Sequence, residues 1–82
     1  MEKEINIEYR KLVSSILKTS TKIAMDHRRG PANFVRVPHS LLEMFPSREI
    51  AGIPVYDDID LKDSIIVGRI DSDFITEEKI TL

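Results

Sequence analysis

The sequence predicts an α+β fold in a single domain over residues 1–82: one long N-terminal helix, a short second helix and a small mixed β-sheet. Three observations predict it. Apolar residues step by three and four through the first third of the chain, which is the spacing of one helical face. Beyond Gly30 that period disappears, and short runs rich in β-branched and aromatic residues replace it. Those runs are punctuated by Pro31, Pro38, Pro46 and Pro54 and by Gly52 and Gly68, too closely for a second long helix.

From Glu4 to about His27 the apolar positions are Leu12, Val13, Ile16, Leu17, Ile23 and Ala24, with Ser20 filling a gap on the same face. This is one amphipathic helix of about six turns. Its weak point is "KTSTK", Lys18 to Lys22, where Thr19, Ser20 and Thr21 each lower helix propensity by a few tenths of a kcal/mol. A break or bend is expected there if anywhere. The C-terminal end is well signalled. His27, Arg28 and Arg29 complement the negative pole of the helix, Gly30 suits the left-handed cap, and Pro31 cannot continue the turn.

"NFVRV", Asn33 to Val37, lies between two prolines and is too short for a helix, so it reads as a strand. In "HSLLEMF" Leu41, Leu42 and Phe45 share one helical face before Pro46 stops the turn, which predicts a short helix. "REIAGIPVYDD" has two apolar pieces around Ala51 and Gly52 and suits a hairpin or tight corner. Pro54 cannot donate to a ladder, so this strand is expected at an edge, or with that position turned from its partner. "DSIIVGRI", Asp63 to Ile70, carries an uninterrupted Ile65-Ile66-Val67 and is the strongest strand, with burial expected on both faces. The ending "DSDFITEEKITL" is expected to form one further strand or an arm.

An 82-residue domain buries only roughly 60% of the surface that its unfolded chain exposes, so packing or association must supply its stability. With 41% apolar and 32% charged residues the composition is that of a globular chain. Nothing approaches the ~18 consecutive apolar residues of a membrane span, and the alternating N-terminus lacks the apolar core of a secretory signal. No membrane association is expected, and a cytoplasmic protein or one assembled from the cytoplasm is. The absence of cysteine excludes disulfides and thiolate metal sites. A net charge of −2 argues against a dedicated nucleic-acid binder. The charge is uneven, however. Arg28, Arg29 and Arg36 stand against Asp26, and Asp57, Asp58, Asp60 and Asp63 stand against Lys62.

No Gly-x-Ser-x-Gly elbow, Gly-rich phosphate loop or His-Glu-x-x-His helix is present, and no nucleophile, base and orienting group can be assembled, so no catalytic residue is assigned. His27 and His39 flank the first strand at a spacing that supports neither catalysis nor metal binding. "DDIDLKD" offers carboxylates but lacks the glycine and closing glutamate of a calcium loop. It reads as a solvated acidic turn, and no metal or cofactor is assigned. "HRRG" presents arginine forks that match phosphate, yet it sits at the negative end of a helix with only Phe34 nearby for base stacking. Charge pairing with a protein is the preferred reading of Arg28, Arg29, Arg36, Asp57, Asp58, Asp60 and Asp63.

The order of these motifs resembles the axial domain of the major capsid proteins of tailed phages, the shell fold shared with encapsulins. The matching residues are Arg28, Arg29 and Gly30 at the helix end, Asn33 and Phe34 in the strand, then Gly52, Pro54, Val55 and Tyr56, and then Asp63, Ile65, Val67 and Gly68. The resemblance spans about residues 8–74 and leaves 75–82 as a C-terminal tail. It implies a mixed sheet with helices packed around it, placed where capsid subunits meet around a symmetry axis, with no cofactor and no reaction. The N-terminal arm, extended loop and peripheral domain of a capsid protein have no counterpart in 82 residues. The chain alone is therefore not expected to build a shell. It is expected to be an excised axial domain or a small protein that kept this fold to bind another.

The function expected is thus that of a non-enzymatic structural or interaction protein of a phage, acting by protein–protein contact in or on a virion head or in the host cytoplasm. Capsid subunits or further copies of itself are the implied partners. The alternative is a small phage-encoded regulator that binds a host protein or nucleic acid through the Arg28-Arg29 turn.

Overall fold

The computed structural model describes residues 2–82, with side chains described from Tyr9 onward. Helix α1 (Glu2–His27) leads to strand β1 (Phe34–Val37), a 3-10 helix (His39–Met44), and strands β2 (Glu49–Ile50), β3 (Ile53–Asp57), β4 (Ser64–Asp71) and β5 (Phe74–Thr81). The strands form one five-stranded sheet in the order β2-β3-β1-β4-β5. Central β1 runs parallel to β3 and antiparallel to β4, while β2–β3 and β4–β5 are antiparallel hairpins. One long helix, one short helix and a mixed sheet make the fold α+β, as the sequence predicts.

α1 runs unbroken through "KTSTK". Ser20 explains how a polar residue sits on the apolar face. It lies buried between Ile16 and Ile23, and its hydroxyl accepts the Ala32 N–H at 2.9 Å. The helix thereby holds the segment that follows it. The Thr21 hydroxyl donates to the Leu17 carbonyl at 3.0 Å, a local bond that helical threonines commonly make.

The helix stop differs in one respect from the sequence reading. The left-handed residue directly after α1 is Arg28, at φ +55°, and its N–H donates to the Ala24 carbonyl at 2.9 Å. Gly30 supplies a second positive φ, +118°, and a Cβ there would lie 3.1 Å from Nη1 of Arg69. Gly30 therefore lets the chain turn closely past a guanidinium rather than capping the helix itself.

Side chains alternate across the sheet. Val35 and Val37 of β1, Val55 of β3, and Ile65 and Val67 of β4 belong to the face covered by α1, and with Ile16 and Ile23 they form the core. The 3-10 helix closes one end of it. The three-residue period pairs Leu42 with Phe45, and the buried Phe45 ring meets Tyr9 at 5.6 Å. Arg48 donates from Nη1 to the Leu42 carbonyl at 2.8 Å and satisfies the end of that short helix.

β3 is not an edge strand, since two-residue β2 flanks it. Its pairing with β1 begins at Val55, one residue beyond Pro54, so the missing N–H lies outside that ladder. β4 is buried on both faces at some positions of its first five residues and on neither face beyond them: Ser64 and Gly68 of the open face are buried as Ile65 and Val67 are. Ile65 and Val67 are inaccessible, but Ile66 is half-buried and Ile70 is 52% exposed, because the one long helix of the chain covers a single face. The C-terminal segment is a full strand. β5 pairs with β4 from Asp71↔Phe74 to Ser64↔Thr81, and the Leu82 N–H closes onto the Asp63 carbonyl at 2.8 Å.

Candidate interaction surface

The predicted charged residues fall at three places along the sheet. β1 begins beside the β4–β5 turn, where Asn33 meets Ile70, and ends beside the acidic turn, where the Asp58 N–H donates to the Val37 carbonyl. Arg28 and Arg29 lie at the first end and Asp57 to Asp63 at the other. Eight-residue β4 separates them by roughly 25 Å.

At the first end Arg29 is engaged. Its Nη1 pairs with Asp73 of the β4–β5 turn at 3.1 Å, and its guanidinium carbon lies 4.4 Å from the centre of the Phe74 ring, which His27 also packs against. Arg28 is exposed and has no ion-pair partner among the described residues. Arg69 fixes the loop behind them. It grips both oxygens of Asp71 at 3.0 Å and donates to the Pro31 carbonyl at 2.9 Å.

At the far end the carboxylates are divided among different tasks. Asp57 meets Nδ1 of His39 at 2.9 Å, while Asp58 accepts the Asp60 N–H at 3.0 Å and lies 3.7 Å from Arg36. Asp60 and Asp63 point into solvent. Among the described residues no three His, Asp or Glu side chains are placed to hold a metal ion. No helix among the described residues is long and apolar enough to cross a membrane.

Arg36 lies between the two ends, on the sheet face opposite α1. Its Nη2 pairs with Glu77 of β5 at 2.6 Å and its Nη1 faces Asp58. The structure therefore joins Arg36 to the acidic turn and to β5, and separates it from Arg28 and Arg29. Beside this ion pair the face carries an apolar cluster. Phe34, Tyr56, Ile70 and Ile75 line an open depression of about 420 Å³, and the last three are 53%, 52% and 63% exposed. Phe34 lies against Gly68, its cross-strand partner. A Cβ on Gly68 would enter the ring and come within 2.6 Å of the Thr76 carbonyl oxygen. Only a glycine leaves room for the aromatic ring to approach the strand this closely here.

Several of these residues carry roles that sequence reading did not assign. Asn33 acts as an extra rung of the sheet, with Nδ2 donating to the Ile70 carbonyl at 2.8 Å and Oδ1 accepting the Ile70 N–H at 2.9 Å. The Arg69–Asp71 clasp has a readable signal, because opposite charges two apart in a strand share one face. The depression has one too: Phe34, Arg36 and Ile70 alternate with neighbours that include the core residues Val35, Val37, Ile65 and Val67. Compared with known proteins, the chain matches no protein-family model, no curated protein and no solved structure.

Proposed function

We propose that this chain is a non-enzymatic structural or interaction protein that works by protein–protein contact, in or on a phage head as its likeness to capsid axial domains implies. The observation that carries the contact reading is the uncovered sheet face, where Phe34, Tyr56, Ile70 and Ile75 cluster beside the Arg36–Glu77 pair. Apolar area that a fold leaves grouped and open, with polar groups already paired within it, is the usual make-up of the centre of a protein interface. The phage assignment rests on the motif order from Arg28 to Gly68, not on this face.

The test is cosedimentation of the purified chain with assembled heads of a tailed phage. Retention that falls when Ile70 becomes Asp supports the reading. A chain that stays in the supernatant at every concentration overturns the capsid part of it.

A second reading, a regulator that binds nucleic acid through the Arg28-Arg29 turn, is favoured only by the unpaired exposure of Arg28. Asp73 and Phe74 occupy Arg29. Titration with DNA and RNA fragments separates the two readings. Salt-dependent binding that is lost in an R28A/R29A variant would favour the regulator.

A further inference from the structure

The two edges of the sheet are treated differently. At one edge β2 offers two residues, too few to template another strand. At the other, β5 runs eight residues from Phe74 to Thr81 with no proline and no glycine, and among the described residues no further strand lies beyond it. Backbone amides alternate in direction along a strand, and the Leu82 N–H points at Asp63 across the hairpin. Ile75, Glu77, Lys79 and Thr81 therefore turn their N–H and C=O groups outward. Among the described residues these groups have no backbone partner.

We infer that this edge pairs with β5 of a second copy of the chain, antiparallel and about a two-fold axis through Glu78. The side-chain pattern selects both the occupant and the register. Paired residues share a face in an antiparallel ladder, so the two positions must have the same parity. With Glu78 on the axis, Glu77 lies opposite the second copy's Lys79 and Lys79 opposite its Glu77, twice over, on the open face. Ile75 then lies opposite Thr81. Shifting the register by two residues places Glu77 against Glu77 or Lys79 against Lys79, which opposes like charges.

The charges available match this arrangement. Lys79 is exposed and has no ion-pair partner among the described residues. Glu77 uses Oε2 for Arg36, which leaves its other carboxylate oxygen for a second cation. On the helix side Glu78 is held by Lys22 at 3.1 Å, which offsets the meeting of two Glu78 carboxylates at the axis. A lysine on an edge strand ordinarily discourages pairing, but here a glutamate two residues away makes the same strand complementary to its own reverse. The product is one ten-stranded sheet with both helices on the same side and a closed, isologous contact.

This inference is independent of the proposed function: a chain that binds phage heads as a monomer satisfies that reading and overturns this one. The experiment is light scattering and sedimentation equilibrium of the full chain over a wide concentration range, with circular dichroism on each variant. The wild type is expected to move with concentration toward twice its 9.4 kDa mass. Lys79→Glu removes both cross-pairs and is expected to weaken association by roughly tenfold or more. Exchanging the two charges, E77K/K79E, restores it. Glu77→Pro removes an outward N–H while leaving the bonds to β4, and abolishes pairing with the spectrum unchanged. A single-chain mass at every concentration overturns the inference, as does a dimer indifferent to Glu77→Pro or a charge exchange that fails to restore association.

Discussion

The two faces of the sheet are made by the same strands and differ almost completely in environment. On the face under α1, Val35, Val37, Ile65 and Val67 have no accessible surface, whereas on the other Tyr56, Ile70 and Ile75 are each more than half exposed. A single helix can cover only one side of a sheet, so the alternation of each strand divides its apolar residues between a core and a surface. Stability is thus concentrated on one face, and the chemistry available to a partner on the other. The covered face should yield the largest effect. Ile16→Ala empties a site that is fully enclosed between α1 and the sheet, and a loss of about 2–5 kcal/mol is expected in urea denaturation, read as a lower midpoint at unchanged slope.

At one position of the open face the contrast should break. Gly68 points away from α1 but lies under the Phe34 ring and against the Thr76 carbonyl. Gly68→Ala should therefore cost about 1–3 kcal/mol as overpacking does in a core, reduced by the ~0.5–1 kcal/mol that alanine recovers in backbone entropy. Adding Phe34→Leu removes the ring but not the carbonyl, so the double variant should regain only part of the loss. Full recovery would show that the ring alone demands the glycine.

What was legible in the sequence follows the same division. The helix, β1, the short helix, the β2–β3 corner and β4 could be placed because periodicity and punctuation are local, whereas the pairing of the last strand with β4 could not. Nor could the face of β4 that would be covered, since an Ile-Ile-Val run is apolar on both sides and the number of covering layers is a property of the whole chain. The charged residues were found but not their pairing. Arg36 is one residue from the core position Val37 in sequence, yet its partners Asp58 and Glu77 come from the turn after β3 and from the last strand.

Ser20 shows the same limit on a smaller scale. Its place on the apolar helix face is readable, but its partner, the Ala32 N–H, depends on how the chain turns after Arg28. Ser20→Ala leaves that buried donor unsatisfied. A loss of about 1 kcal/mol is expected in thermal or urea unfolding, after the roughly 0.5 kcal/mol gain in helix propensity is set against the desolvation cost.

The smallest effect on stability is expected where the two faces differ most. Tyr56 lies on β3 opposite Arg36 of β1 and is 53% exposed, with no hydrogen bond from its hydroxyl among the described residues. Tyr56→Ser removes apolar area that folding leaves largely in water, so stability should change by no more than about 0.5 kcal/mol. If the open face is a contact surface, the same substitution should weaken retention by assembled heads several-fold, since a half-exposed aromatic at the centre of an interface loses most of its remaining accessible area on binding. Core positions behave the opposite way, affecting binding only through loss of the fold. A Tyr56→Ser variant that unfolds appreciably more easily, with retention reduced only in proportion, would place this residue with the core and leave the open face without its principal anchor.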